Sequence, residues 1–260
     1  YEMKPLSSLE KVFPDETPVY RMECQMLSGL WGETVSFQVA YTGDFVMRER
    51  LDVRVVSELA EHVHVRTVEM VPVGRATNGI VDDNYLKTTS GLYPDLLKDL
   101  KDGKVIVYSR QWRSLWVDVD ITNEIPAGEY EIELQLVKEG EVVCSTKQKV
   151  TVVGTELPKL DIMHTEWMHA DCLADYYHVE VFSEEHWKLL ENYFQEYVKR
   201  DCNMMLTPLF TSPLDTAIGL ERTTCQLVDV EVKDGQYIFG FENLKRWIDL
   251  CKKCGIEYFE

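Results

Sequence analysis

The stretch Val150-Thr151-Val152-Val153-Gly154-Thr155-Glu156-Leu157-Pro158 separates two halves whose apolar residues repeat with different periods. Upstream of it the period is two. Val35, Phe37 and Val39 alternate with Thr34, Ser36 and Gln38, and Val53 with Val55 repeats the pattern. Val63 and Val65 do the same, which puts His62, His64 and Arg66 on the opposite face, and the two histidines are expected to be structural. Leu115, Val117, Val119 and Ile121 form another set, then Ile132, Leu134 and Leu136. Alternation over short segments predicts antiparallel sheets with one face in water. Asp102-Gly103, Ala127-Gly128 and Glu139-Gly140 supply turn chemistry between them. At least six such strands predict a β-sandwich domain over residues 1–154, with Thr155–Pro158 as a linker.

Downstream the period becomes helical. Ser183 reads as an N-cap with Glu184 and Glu185 in the first turn, where negative charge suits the helix dipole. Trp187, Leu190, Phe194, Tyr197 and Val198 line one face of a helix that runs to about Arg200. Leu244, Trp247, Ile248 and Cys251 mark a second helix, closed by Gly255 as a left-handed cap. Strands are predicted at Leu160–His164, Met204–Phe210 and from Ile256, with a hairpin of 226–232 and 236–241 joined by Asp234-Gly235. The segment between Leu160–His164 and Ser183 reads as a loop. Strand, helix, strand, helix, strand is the unit of a parallel α/β fold. No GxGxxG follows the first strand, which removes the main reason for a dinucleotide fold. A full barrel takes ~250 residues, and 106 remain after Gly154. Residues 155–260 are therefore expected to be the first βα units of a (β/α)8 TIM-like barrel, truncated at Glu260. Tyr1-Glu2-Met3 and the apolar run Ile256–Phe259 both read as cut ends.

The chain has 260 residues and a formal charge of −18. Residues 155–260 hold 20 Asp and Glu against 10 Lys and Arg, leaving 25 against 17 for residues 1–154. Two acidic halves offer no basic stripe for a phosphate backbone, so nucleic acid is excluded as an expected partner. An anionic membrane surface is disfavoured by the same repulsion, and no apolar run approaches the ~20 residues of a membrane span. The seven cysteines are scattered and odd in number. That pattern suits reduced thiols and a cytoplasmic protein better than a secreted disulfide framework. Cys251 and Cys254 read CxxC inside a helical pattern, without a second ligand pair at zinc spacing, and are expected to be structural.

In a barrel, function sits at the carboxyl ends of the strands. The expected loop His164–His178 is rich in Trp, Tyr, His and Asp, the residue types of a sugar site. Apolar faces of pyranose rings lie on aromatic planes, while carboxylates and imidazoles take the hydroxyls. Trp167, His169, Asp171 and Tyr176 are the candidate substrate-binding residues here. The alternative is a loop whose aromatics merely pack. Phe210, with Thr207 and Thr211, would close the second strand at the same mouth. Arg222 either reaches inward from the long 211–241 connection or pairs with a surface carboxylate. Glu260 stands near the third strand's end. His164, His169 and His178 show no HxH or HxxxH spacing, so neither metal nor cofactor is expected. His186 reads as a surface residue. No carboxylate pair at glycosidase spacing, no GxSxG elbow and no P-loop is present.

Gly32–Val39, Tyr93–Leu97, Leu115–Val119 and Pro126–Tyr130 together resemble the N-terminal sandwich of glycoside hydrolase family 123, proteins also labelled with the domain of unknown function 4091. Leu157-Pro158, the Trp167–Tyr177 loop, the Trp247 helix and Tyr258–Glu260 are similar to the start of that family's barrel. The resemblance implies a hydrolase of terminal β-N-acetylgalactosaminides, or related N-acetylhexosaminides, that retains configuration. The substrate's 2-acetamido oxygen would be the nucleophile, unlike the usual two-carboxylate scheme. An Asp-Glu pair would assist, the Asp orienting the acetamido group and the Glu acting as general acid. No Asp-Glu dipeptide occurs in 155–260, so the resemblance places the pair beyond Glu260 and leaves this chain without catalytic residues of its own. The other reading is a non-catalytic carbohydrate-binding or structural module.

Overall fold

The computed structural model describes residues 1–18, 26–77, 79, 81, 84–159, 161–211 and 216–260. Cys24 and Leu160 lie outside the described residues. The chain divides into two compact units, Tyr1–Pro158 and Lys159–Glu260.

The first unit carries β1 (Glu2–Ser7), β2 (Met26–Trp31), β3 (Thr34–Thr42), β4 (Glu49–Val56), β5 (Val63–Val73), β6 (Gly91–Asp99), β7 (Lys104–Val107), β8 (Arg113–Asp120), β9 (Gly128–Lys138) and β10 (Glu141–Glu156). They form two five-stranded sheets, ordered β1-β3-β8-β5-β6 and β2-β10-β9-β4-β7. The alternating residues of both sheets meet in one apolar core. Phe37, Val39, Leu115, Val117 and Val119 come from one sheet, and Leu51, Ile132, Leu134, Leu136, Val150 and Val152 from the other. This is the layered arrangement of a β-sandwich. Glu139-Gly140 takes positive φ at both positions (53° and 89°), as the two-residue turn between β9 and β10 requires.

Three expectations need correction. β2 pairs with β10 in parallel, so the sheets are not wholly antiparallel. Thr155 and Glu156 are not linker but the end of β10, and Leu157 N–H still bonds the Trp31 carbonyl at 2.7 Å. The outer face of β3 is not simply wet either. Gln38 is buried, its amide nitrogen donating to the Ser7, Ser8 and Glu10 carbonyls (3.3, 3.1 and 2.6 Å), while Ser114 Oγ donates to its Oε1 at 2.9 Å. The segment after β1 folds over that face and seals Leu6, Val12, Ala40 and Trp112 into a small second cluster.

The second unit contains α1 (Ala170–Tyr177), α2 (Glu184–Val198), β11 (Met204–Met205), β12 (Asp229–Lys233), β13 (Gln236–Gly240), α3 (Glu242–Cys254) and β14 (Tyr258–Phe259). Ser183 caps α2, accepting from His186 N–H at 3.2 Å. Gly255 ends α3 at φ 104°. The two helices bury Trp187, Leu190 and Phe194 against Trp247 and Cys251, and Phe194 meets Trp247 edge to face at 5.0 Å. Asp234 and Gly235 take φ of 51° and 76° in the tight turn of the β12–β13 hairpin.

β11 and β14 pair in parallel across α3, the relation that a βα crossover produces. The strand expected over Met204–Phe210 is regular only at Met204–Met205. Residues 161–164 form no strand at all. Asn203 substitutes for a ladder there: its Oδ1 accepts from His164 N–H at 2.8 Å, and its Nδ2 donates to the Ile162 carbonyl at 2.9 Å. A side-chain bridge of this kind holds a segment beside a strand without extending the backbone pattern. Among the described residues this unit has one parallel strand pair and three helices, which do not close a barrel.

Candidate functional site

Within the expected loop the chain forms α1. Its buried residues, Ala170, Asp171, Leu173 and Ala174, lie at i, i+1, i+3 and i+4, so one face packs on the core of the second unit. His169 stands at the N-cap with extended backbone and makes no capping bond through its side chain. Asp171 and Asp175, one turn apart, grip the connection that follows β11. The Asp171 carboxylate takes Arg222 Nε at 2.5 Å and Arg222 Nη2 at 2.9 Å, and Asp175 Oδ1 accepts from Thr223 Oγ1 at 2.7 Å. The Asp171–Arg222 pair is largely buried, with side-chain exposures of 9% and 13%. A fork of two parallel charge-assisted bonds fixes both side chains. Arg222 thus reaches inward, the first of the two alternatives for it.

A cleft opens beside this pair. His169, Asp171 and Arg222 form one wall, and Thr207, Phe210 and Thr211 another. The second wall begins directly after β11, so the cleft lies outside the carboxyl end of a parallel strand, where ligands of α/β proteins bind. Thr211 Oγ1 accepts from Cys225 N–H at 3.1 Å, and Leu227 N–H bonds the Pro208 carbonyl at 2.9 Å, which ties that wall to the following chain. The cleft holds about 130 Å³, below the ~300 Å³ at which ligand-sized pockets begin. Phe210 is 56% exposed, so an apolar ring face is open at its rim. Cys225 at the floor is not a nucleophile: burial pushes its thiol up to about 12.

Trp167 stands apart from those lining residues and is 55% exposed. Its indole N–H donates to Glu260 Oε2 at 3.1 Å. Glu260 follows β14, and its backbone joins the ends of β11 and β14, donating to the Met205 carbonyl and accepting from Thr207 N–H (3.0 and 2.9 Å). Trp167 and Glu260 are therefore also at the carboxyl ends of the parallel pair. Tyr176 is 76% exposed, packs edge to face on Tyr177 at 5.0 Å and does not line the cleft. Tyr177 in turn reaches Tyr193, hydroxyl to hydroxyl at 3.0 Å.

Two residues carry more than their sequence context signals. Tyr197, expected only as an apolar face residue, places its hydroxyl 2.7 Å from both Glu166 N and the Met204 carbonyl, pinning the Trp167 segment to β11. His186, expected at the surface, is fully buried. Phe182 N–H donates to its Nδ1 at 2.9 Å, which leaves Nε2 to carry the proton and donate to the Ala170 carbonyl at 2.9 Å. Burial holds its pKa below the ordinary histidine value. His164 meets Cys202 Sγ at 3.8 Å, and no group of three or more His, Cys, Asp or Glu is arranged to hold a metal among the described residues.

Residues 167–260 match the family model for the glycoside hydrolase 123 catalytic domain. That segment is similar to the catalytic domain of glycoside hydrolase family 123. The matched segment begins at Trp167 and includes α1, the residues that line the cleft, and Glu260. In fold, a family 123 glycoside hydrolase from Clostridium perfringens, analysed for glycolipid glycan hydrolysis, is similar over 99% of this chain. The TM-score is 0.71 at 14% sequence identity, and the match covers 46% of that protein. This chain thus spans about half the length of that relative. The N-terminal domain of PorA matches 59% of this chain and 99% of its own at 10% identity, but its TM-score is only 0.28. No curated protein matches the chain.

Proposed function

We propose that this chain is part of a glycoside hydrolase that removes terminal β-N-acetylgalactosamine, or a related N-acetylhexosamine, from a glycan. The first unit would be a β-sandwich and residues 155–260 the opening of a (β/α)8 barrel completed by further chain. The observation that carries this reading is the coincidence of two boundaries. The segment matched as the family 123 catalytic domain is the segment whose cleft sits at the carboxyl end of β11, the strand paired in parallel with β14. Catalysis would be retaining and substrate-assisted, with the 2-acetamido oxygen as nucleophile and the Asp-Glu pair beyond Glu260.

The residues of this chain then bind and position. Phe210 and Trp167 offer exposed aromatic faces to the apolar side of a pyranose. His169 supplies a polar group at the cleft wall. Asp171 acts first as the anchor that aims Arg222, since each of its oxygens already takes a guanidinium N–H. Tyr176 would contact only the outer part of a larger glycan. The small cleft volume is consistent with a site whose remaining walls come from other chain.

The test is hydrolysis of 4-nitrophenyl N-acetyl-β-D-galactosaminide by the longest natural polypeptide that contains this chain, beside the chain alone. Release of 4-nitrophenol by the longer polypeptide only, with β-N-acetylgalactosamine as the first product, supports the reading. Sugar binding without turnover in the longer polypeptide would replace it with a carbohydrate-binding module.

A further inference from the structure

The first unit contains a larger cavity, of about 410 Å³, on the flank where the two sheets end in β6 and β7. Its lining gathers Arg50, Lys98, Lys101, Lys104 and Arg113 from strands and turns scattered over the sequence, against two carboxylates, Glu69 and Asp99. A chain of formal charge −18 thus presents a net cationic concavity, one that only folding assembles. Two of the five cations are neutralised nearby, Arg50 by Asp102 at 2.9 Å and Lys104 by Asp52 at 2.7 Å. Lys98, Lys101 and Arg113 have no carboxylate within 4.0 Å among the described residues.

Lysines on edge strands have an ordinary explanation, since they discourage sheets from joining edge to edge. Arg113 does not fit it. It stands on β8, the central strand of its sheet, and its Nε is buried without an acceptor among the described residues. One Nη2 bond to Gln111 Oε1 at 3.1 Å and a stack over the Tyr108 ring at 5.0 Å hold the guanidinium plane in place. Closed to solvent, Nε is itself out of a ligand's reach, and it is the rest of the Arg113 side chain that lines the cavity. The other walls are of two kinds: apolar surface from Val68, Val105 and Ile106, and hydroxyls of Thr67 and Tyr108. The volume lies in the range of small-molecule sites and far exceeds that of an inorganic ion.

We infer that this cavity binds a sugar unit bearing a carboxylate or sulfate group, with Arg113 taking the oxyanion. The saccharide half of this assignment rests on the glycoside hydrolase reading; the oxyanion half rests on the cavity. Lys98 and Lys101 add long-range attraction from the rim, and the apolar wall and hydroxyls receive the ring.

Calorimetric titration of the whole chain at low ionic strength with D-glucuronate, D-galactose 6-sulfate, D-galactose and sodium sulfate tests it. At least one anionic sugar is expected to bind about tenfold or more tightly than galactose and than sulfate. Arg113→Gln should weaken that binding about tenfold or more while the melting temperature stays unchanged. Should Arg113→Gln fail to fold, the doubly substituted Lys98→Gln, Lys101→Gln chain, altered only at exposed positions, should weaken binding and flatten its salt dependence. Equal affinity for sodium sulfate and both anionic sugars would overturn the saccharide assignment. Absence of binding by every probe, or binding unmoved by either variant, would overturn the site, and neither result bears on hydrolysis by the longer polypeptide.

Discussion

The carboxylate of Asp171 and the guanidinium of Arg222 meet through two bonds of 2.5 and 2.9 Å, joining the first turn of α1 to a connection 51 residues later. One member sits on a helix face and the other on irregular chain, so the pair fixes a loop that no backbone ladder holds. Its side chains are under 15% exposed, which puts it among pairs whose single loss is expensive.

Asp171→Asn should therefore cost about 3 kcal/mol, because it leaves a nearly buried guanidinium without its counter-charge. Asp171→Asn combined with Arg222→Gln should recover part of that loss. Hydrogen exchange of the α1 amides in all four proteins measures it. A coupling below about 0.5 kcal/mol, the noise of independent sites, would mean the pair is held by its surroundings instead.

The sequence made much of this architecture legible and left specific parts dark, for physical reasons. Alternation in β3, β8 and β9 was readable because one face is buried for the whole strand length. Ser183 and Gly255 were readable because cap chemistry is local. By contrast α1 has eight residues, a non-capping His169 and aromatic residues on its exposed side, so neither cap nor period announced it. β7 has four residues, too few for alternation to register. His186 satisfies every local rule for a surface position in a first helical turn. Only the Ala170 carbonyl, brought up by a helix absent from the sequence reading, makes it a core residue. At the site, His169, Asp171 and Phe210 do line one cleft, while the Asp171–Arg222 pair depended on a long-range contact that spacing does not encode.

The neutral state of His186 gives the second unit a pH dependence of definite sign. The folded pKa lies below the unfolded value near 6.5, so the unfolded chain binds the extra proton first. The stabilisation is complete above that value and is lost as pH falls through it toward the folded pKa. Protonated Nδ1 would also oppose Phe182 N–H, donor against donor. Thermal melts of the natural protein should fall more steeply between pH 7 and 5 than those of His186→Gln. An NMR titration placing His186 above 6.5 would sink this account.

Cysteine chemistry separates structural from reactive thiols. Burial pushes Cys225 and Cys251 up to about 12 and raises Cys254 as well. At pH 7.5 a thiol of pKa 12 is ionised on the order of once in 30,000. Iodoacetamide followed by peptide mass mapping should label exposed Cys172 early. Cys225 and Cys251 should react only after denaturant is added. Prompt modification of Cys251 in the native chain would overturn its assignment as a buried structural thiol.

The last expectation separates recognition from stability at Trp167. A tryptophan built into a core would cost about 3–5 kcal/mol on truncation to alanine. Trp167 is 55% exposed and makes one hydrogen bond, to Glu260, so its removal should cost under about 1 kcal/mol of folding stability. If its face receives a sugar ring, truncation should instead cost ~2 kcal/mol of binding, about thirtyfold in affinity. Trp167→Phe then splits the two contributions: it keeps a stacking face and loses the indole donor that orients Glu260. In the longest natural polypeptide, N-acetylgalactosamine affinity and melting temperature are measured together for both variants. Trp167→Ala should weaken binding about thirtyfold at nearly constant melting temperature, and Trp167→Phe should fall between it and the natural protein. Unchanged affinity in Trp167→Ala would remove Trp167 from the sugar site and leave Phe210 as the aromatic platform to test next.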